Sequence, residues 1–183
     1  MSYNVPTGDT AKLSFGPGII YLGAEGTTPL TDVGYIKGDA ELSVVRTLLE
    51  VMAGSPQSLV KQYAIKEEVS IKFTGIEWNL DNIAYALGAG VTGYSAPDDT
   101  FEFGGDMDVS NRALRFLHIQ PDGGTIDVQL FKVEGSGELT AALKEADMHE
   151  FAFTFKALEA SLNFEGSLPD AKKKKFKIIK TRI

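Results

Sequence analysis

The chain has 183 residues, of which 43% are hydrophobic and 23% charged, a composition typical of one globular domain. It contains no cysteine, which excludes disulfides, thiolate metal sites and cysteine nucleophiles, and no run of about 20 apolar residues that could span a membrane. Because the N-terminal sequence lacks the basic start and the apolar run of a signal peptide, we expect a protein that folds in the cytoplasm, without membrane insertion or redox chemistry.

Charge is distributed unevenly along the chain. The net charge is -7, from 25 acidic and 18 basic residues. Seven of the basic residues lie in the basic C-terminal segment, residues 172–183, which has no acid, so the preceding residues carry 25 acidic against 11 basic side chains. Such asymmetry indicates an interaction segment, and a solvated tail is the plainer alternative. We interpret residues 1–183 as a single domain, with residues 1–16 as an N-terminal arm.

Short runs of alternating apolar and polar residues dominate the chain and predict strands. In order, these runs are Gly18 to Gly23, Asp39 to Val45, Ile65 to Thr74, Arg112 to Ile119, Thr125 to Val133 and Glu150 to Leu158. Aspartate followed by glycine between the fourth and fifth runs predicts a hairpin. The last run places Phe151, Phe153 and Phe155 on one face, which we expect to pack in the core. The pattern predicts a mainly β domain of roughly seven to nine strands.

One helix is predicted after the third of these runs. Leu80, Ile83 and Leu87 recur there at helical spacing. Asn79 can cap the helix because its side-chain oxygen can accept hydrogen bonds from the free N–H groups of the first turn. Gly88 can adopt the left-handed conformation that ends a helix. We expect the apolar stripe of this helix to cover an open face or edge of the sheet.

Three connecting segments need separate interpretation. The long hairpin loop, residues 46–64, has apolar residues on both sides of the polar sequence GSPQS. Loops longer than about 12–15 residues are usually functional or disordered, and this one is too apolar for disorder, so we predict a hairpin arm that packs on a partner. Residues 88–111 are rich in glycine and aspartate and are predicted to form a loop. Residues 138–148 stay ambiguous, because their apolar spacing also fits a helix.

No motif for catalysis, metal binding or nucleotide binding occurs in the context that its chemistry needs. The glycines of Gly88 to Gly93 match a dinucleotide fingerprint, but a helix precedes them where a strand is required. The aspartates of residues 98–108 lack the glycine and glutamate of an EF-hand loop, which leaves an irregular calcium site as the alternative to a solvated acidic loop. His118 and His149 are far apart in sequence and have no cysteine to complete a zinc site. We therefore expect no cofactor, no metal and no enzymatic activity.

The basic C-terminal segment fits two kinds of partner. Clustered lysines can neutralise nucleic-acid phosphates, but the acidic remainder of the chain would repel them. The apolar residues Phe176, Ile178 and Ile179 lie among the lysines and favour a strand over a polar tail. We favour docking of this segment onto the acidic body of a neighbouring copy. The candidate inter-subunit residues are Lys172, Lys173, Lys174, Lys175 and Phe176.

Several stretches in a fixed order carry a resemblance to a known family. GIIYLG, from Gly18, is followed by VGYIKGDAELSVV, from Val33, which leads into the hairpin arm, and then by EEVSIKFTGIEWNLDNIAYALG, from Glu67. The late strand HEFAFTFKAL completes the order at Leu158. In this arrangement the chain resembles the major tail tube proteins of tailed bacteriophages and their relatives in contractile injection systems. The basic C-terminal segment departs from what the resemblance leads us to expect.

The resemblance implies a β-sandwich with one flanking short helix and a long hairpin arm. Copies would form hexameric rings in which the inner strands join into a ring-closed β-barrel around a lumen, and stacked rings would form the tail tube of a virion, assembled in the host cytoplasm. The arm would reach the next ring. The candidate inter-ring residues are Leu48, Leu49, Met52, Ser55, Pro56 and Gln57.

The implied partners are other copies of the chain, the tail initiator or baseplate, the tape measure and terminator proteins, and a sheath where the tail has one. DNA would pass through without specific binding, because an acidic lumen wall repels its phosphates. Glu68 and Asp127 are the candidate lumen-facing residues. One alternative is the inner tube of a secretion or contractile injection system. A monomeric ligand-binding β-sandwich is a further alternative and requires an exposed aromatic platform, whereas we expect the only tryptophan, Trp78, to lie in the core.

Overall fold

The computed structural model describes residues 18–105, 108–121, 123–170 and 174–181. The predicted N-terminal arm, residues 1–16, and the candidates Lys172 and Lys173 lie outside the described residues. In chain order the elements are β1 Gly18–Gly23, β2 Thr31–Asp32, β3 Glu41–Ala53, β4 Ser58–Gly75, α1 Leu80–Leu87, β5 Val91–Ser95, β6 Asp98–Glu102, β7 Arg112–Ile119, β8 Thr125–Gly135, β9 Thr140–Ala142, β10 Glu150–Ala157 and β11 Phe176–Thr181. The fold is mainly β, as predicted, with more strands than the seven to nine expected.

The strands form one large antiparallel sheet and a separate hairpin. The large sheet has the order β2-β1-β7-β8-β10-β4-β3, with β9 paired to β10 and β11 paired to β8, while β5 and β6 pair with each other. The sheet divides at β8, since one edge of this strand pairs with β7 while the other edge pairs with β11 over its first half and with β10 at its end. This arrangement is consistent with a β-sandwich.

The core is built from residues that alternate along these strands. Phe151, Phe153 and Phe155 are each at most 3% exposed, which confirms the predicted apolar face of β10. Phe73 of β4 contacts two of these rings, with centroid distances of 5.4 Å to Phe153 and 5.9 Å to Phe155. Burying each such side chain contributes about 1.5–3 kcal/mol. The other large side chains buried in this core include Ile20, Leu22, Ile71, Leu114, Leu130 and Val133.

Both ends of α1 form as the sequence predicts. The Asn79 side-chain oxygen accepts hydrogen bonds from the backbone N–H groups of Asp81, at 3.1 Å, and Asn82, at 3.2 Å. Gly88 adopts the left-handed conformation, with φ of 73°, and ends the helix. This is the only helix among the described residues, and nothing in those ranges is a helix long and apolar enough to cross a membrane.

Close backbone approach fixes α1 against the sheet. Ile83 and Ala86 are helix residues that are buried in the core. The burial of Ile83 agrees with the predicted apolar stripe. At the contact point β8 has Gly135, where a Cβ atom would lie 2.1 Å from the carbonyl oxygen of Ala86 and 2.4 Å from that of Tyr85. The absence of a side chain at Gly135 therefore sets how closely helix and sheet can pack.

Two predicted loops contain regular structure. Residues 88–111 include the β5–β6 hairpin, which was missed because its alternating runs are only five residues long and are separated by Ala96-Pro97. Residues 46–64, predicted as a long hairpin loop, are almost entirely strand, because β3 and β4 continue past the body until only residues 54–57 remain as a turn. The ambiguous residues 138–148 contain the short strand β9 and no helix.

Candidate functional site

The hairpin arm, residues 46–64, is a two-stranded ribbon that extends β3 and β4 beyond the body of the sheet. Its register pairs Leu48 with Ala64, Leu49 with Tyr63 and Met52 with Leu59. The register shifts twice, between Thr47 and Leu48 and again between Val51 and Met52, which indicates two bulges in β4. Bulges of this kind increase strand twist and bend a ribbon.

Both faces of the arm have large apolar side chains. Strand alternation places Leu49, Val51 and Tyr63 on one face, where the Lys61 ammonium lies 4.6 Å from the centre of the Tyr63 ring. The opposite face has Leu48, Met52 and Leu59, together with a 3.0 Å hydrogen bond from Gln62 to Glu50. The arm therefore presents an apolar stripe in two directions.

No described part of the chain covers either stripe. The large apolar side chains of the arm range from 39% exposed, for Val51, to 64% exposed, for Val60. The candidates Ser55, Pro56 and Gln57 form the exposed turn. A two-stranded hairpin is marginally stable in water, and contiguous apolar surface of this kind usually marks an interaction site. The geometry thus brings the predicted inter-ring residues together on one exposed element.

Three polar contacts lie at the base of the arm, and one of them comes from outside the hairpin. Arg46 forms a 2.8 Å ion pair with Glu67 across the hairpin, and Lys66 forms a 2.7 Å ion pair with Glu68. Lys175, which precedes β11, donates a hydrogen bond to the carbonyl oxygen of Glu67. This last contact joins residues that are 108 positions apart, so no local sequence pattern predicts it.

The described part of the basic C-terminal segment contacts its own chain. β11 pairs with β8 from Phe176 opposite Leu130 to Thr181 opposite Thr125. Lys174 forms an ion pair with Glu159, and Phe176 packs partly buried against the core. The segment is a strand, as predicted, but these candidate inter-subunit residues have intrachain contacts. In the described part of this segment, the edge of β11 that faces away from β8 has no strand partner.

The two predicted lumen-facing residues differ in exposure. Glu68 is exposed on the outer face of the sheet, and its hydrogen bond with Lys66 holds the pKa of its carboxyl below the ordinary value. Asp127 is only 7% exposed, because Arg115 donates two hydrogen bonds to it, at 2.9 and 3.1 Å, and Gln129 donates a third at 2.8 Å. Asp127 is therefore a buried acid whose contacts lie within its own chain, and its position relative to a lumen stays a prediction.

The outer face around Glu68 is of mixed charge rather than acidic. A cavity of about 470 Å³ lies on this face and is lined by Ser43, Val45, Glu67, Glu68, Val69, Ser70, Lys72, Glu134, Thr154, Lys156, Ala157, Leu158 and Lys175. Acids and lysines are equally numerous among these residues. An acidic lumen wall therefore receives no support from this face of the isolated subunit.

Trp78 is exposed, which overturns the expectation that it lies in the core. It is 58% exposed, although one edge packs on Phe151 with ring centroids 4.7 Å apart. Its indole N–H donates a 3.1 Å hydrogen bond to Nδ1 of His149. The turn between β4 and α1 lies at the end of the core, and only one side of the indole meets the sheet.

The β5–β6 hairpin is a second projecting element, and the sequence analysis missed it. It has the acids Asp98, Asp99 and Glu102 and no base. The Thr92 hydroxyl donates a 2.9 Å hydrogen bond to Asp81 at the start of α1, and a hydrogen bond with Asp81 also raises the pKa of Tyr94. These contacts tie the hairpin to the helix while its outer face stays exposed.

The described residues show no arrangement suited to metal chemistry. Nowhere in these ranges do three or more histidine, aspartate or glutamate side chains converge as metal ligands. His118 is buried in β7, and His149 is bound by Trp78, so the two are not brought together.

No protein-family model matches the sequence, and no curated protein is significantly similar to it. The functional conclusions therefore rest on the exposed arm, the edges of the sheet and the distribution of charge.

Proposed function

We propose that the chain is a structural subunit of a phage tail tube, in which hexameric rings stack into a hollow conduit for genome delivery into the host cell. The observation that carries the proposal is the hairpin arm, with large apolar side chains exposed on both of its faces. The resemblance of the sequence to tail tube proteins supports the same conclusion.

The arm favours self-assembly for an energetic reason. Burial of each large apolar side chain of the arm would stabilise the folded state by about 1–2 kcal/mol. A two-stranded ribbon without a partner buries little of this apolar surface, so it gains little of this stabilisation. Two apolar faces allow the ribbon to lie between two neighbouring surfaces. Obligate interfaces of this type usually bury about 2,000 Å² or more.

The sheet also has edges that association would cover. β3 pairs only with β4 among the described strands, and β11 pairs only with β8. Long unpaired edges invite pairing with another chain, and a head-to-tail contact between different edges closes into a ring. In this proposal the two sheet layers form a β-sandwich, and edge contacts join the inner strands of neighbouring subunits into a barrel.

Two other functions are each supported by a specific observation. The inner tube of a contractile injection or secretion system would use the same arm, and its cargo would be protein rather than DNA. A monomeric ligand-binding β-sandwich is favoured by the exposed indole of Trp78, which could stack on a sugar ring. Glycan binding that is lost in Trp78→Ala, by a protein that stays monomeric, would support the second alternative.

The arm can be tested by placing charge on one of its stripes. Leu49→Asp with Val51→Asp should keep the folded subunit intact, because neither side chain is in the core, and should prevent rings or tubes from forming. Loss of an interface anchor costs about 2 kcal/mol or more, or roughly thirtyfold or more per contact. Negative-stain electron microscopy and light scattering of concentrated protein measure the assembly.

The matched control is Leu168→Asp, which changes an exposed leucine elsewhere on the body. We expect this control to assemble as the unchanged protein does, with an equal unfolding midpoint. Rings or tubes formed equally well by the Leu49→Asp, Val51→Asp variant would contradict the role of the arm. A subunit that stays monomeric at high concentration and in the presence of preformed tail initiator would contradict the proposed function.

A further inference from the structure

Along one of its edges β11 has no partner among the described strands, and all of its charged side chains are basic. Among the described strands only β8 pairs with it, so the backbone groups on its other edge have no strand partner in the described ranges. Residues 174–181 contain four lysines and no acid, and Lys177 and Lys180 are exposed on the strand itself. Ile178, between them, is 53% exposed. This edge combines cations, an apolar side chain and backbone groups to which no described strand other than β8 is paired.

The β5–β6 hairpin has the complementary properties. Residues 91–102 contain Asp98, Asp99 and Glu102 and no base. β5 and β6 pair with each other and with no other described strand, so neither outer edge of the hairpin has a strand partner in the described ranges. Val91 and Tyr94 are each at least 60% exposed. The hairpin is nevertheless held in place, because Phe101 packs against the core and Thr92 is bound to Asp81.

We propose that the β5–β6 hairpin of one copy adds to the edge of β11 that faces away from β8 in a second copy. Strand addition supplies backbone hydrogen bonds, and the opposite charges set the choice of partner and the orientation. The occupant is a second copy because the same chain has an edge with only lysines and a hairpin with only acids. The inference rests on the proposed self-assembly and assigns two of the surfaces that would meet.

The contact is heterologous, since it joins two different surfaces of the same chain. Such a contact leaves a free acidic hairpin at one end of any dimer and a free basic edge at the other, so further copies can add until a ring closes. Exposed charge pairs are individually weak and are screened by salt. We therefore expect association through this contact to weaken as the salt concentration rises.

Cysteine crosslinking tests the geometry directly, because the chain has no native cysteine. Thr181→Cys labels the β11 edge and Thr100→Cys labels the hairpin, and both positions are exposed. When the two single-cysteine proteins are mixed and treated with a short bismaleimide, we expect the mixed dimer to be the main product. Products that join two copies of one variant, or no product from protein that does associate, would overturn the proposal.

Charge reversal gives a second, independent readout by sedimentation. Lys177→Glu with Lys180→Glu should weaken association at least about tenfold, and so should Asp98→Lys with Asp99→Lys. The chain with all four changes should recover association, since the charges are again opposite. Lys72→Glu with Lys156→Glu, which reverses two exposed lysines on another face, is the matched control and should have little effect.

The outcomes separate this inference from the proposed function. Tubes formed unchanged by the Lys177→Glu, Lys180→Glu variant would overturn the inference and leave the proposed function standing. Mixed crosslinks with no rings or tubes would support the inference and contradict the tube. Loss of binding to a labelled DNA duplex in this variant, with unchanged self-association, would assign the lysines to nucleic acid and overturn the inference.

Discussion

Gly135 is the single residue on which the position of the helix most depends. The two carbonyl oxygens of α1 lie where its Cβ atom would be, and these are backbone atoms that cannot move without displacing the whole helix. By contrast, Asn79 and Gly88 stabilise the helix ends locally. The close approach of α1 to β8 thus depends on the absence of a side chain at Gly135.

Gly135→Ala should lower the free energy of unfolding by about 1–3 kcal/mol or more, because the overpacked helix must shift away from β8. Urea unfolding followed by circular dichroism measures this change. Gly93→Ala is the matched control, since its Cβ would meet only the Thr100 hydroxyl on an exposed hairpin. We expect the control to lose much less stability, and equal losses would contradict the close packing of α1 on β8.

Surface ion pairs connect elements that are distant in sequence. Lys37, which precedes β3, lies 2.9 Å from Asp147 and 2.7 Å from Glu150, at the start of β10. The hydrogen bond from Lys37 and one from the backbone N–H of Met148 lower the pKa of Asp147 from 3.8 to about 2. Lys144, followed by Lys37, lowers the pKa of Glu150. At the element scale, this cluster fixes the loop before β10 against the segment before β3.

The lowered pKa of Asp147 should make the stability of the folded chain fall as the solution becomes more acidic. A carboxyl whose pKa is lower in the folded chain contributes stability that is present above about pH 4 and is lost as the pH falls toward the folded value of about 2. Asp147→Asn should therefore lower stability at pH 7 and reduce the loss between pH 4 and pH 2, as measured by thermal unfolding across this range. In the Lys37→Met background the same substitution should have a smaller effect, and an undiminished effect would assign the shift to another contact.

The described chain has a buried core of strands and two exposed hairpins. The strands around the phenylalanines of β10 are buried, whereas the hairpin arm and the β5–β6 hairpin project with their outer faces exposed. Because local stability follows buried contacts, these projecting elements should open more readily than the core in a free subunit. Association should make a projecting element open less readily if the element's exposed surface becomes covered by another copy.

Hydrogen exchange can measure that change across the whole chain. Amides of residues 46–64 should exchange rapidly in the free subunit and at least about tenfold more slowly after assembly, because the covered ribbon must detach before it opens. Amides of β10 should be slow in both states and provide the internal reference. An arm that exchanges at the same rate in assembled tubes as in free subunits would show that it is not part of the interface.

Local sequence patterns were sufficient to predict those features that depend on residues close together in the chain. Alternation in β10 correctly predicted three buried phenylalanines, and the cap residues Asn79 and Gly88 correctly predicted the ends of α1. The sequence also indicated that residues 46–64 would be apolar without being disordered. It underestimated the regularity of this segment, because long continuous strands interrupted by bulges resemble a loop when the partner strand is not known.

Contacts between residues far apart in the chain became known from the folded structure alone. Sequence patterns were enough to predict a cysteine-free, mainly β chain with one capped helix and a concentrated basic C-terminus. The structure placed β11 on β8 of the same chain, buried Asp127 against Arg115 and left Trp78 exposed. Burial and edge pairing depend on which distant strands become neighbours, and periodicity within one strand contains no information about that choice.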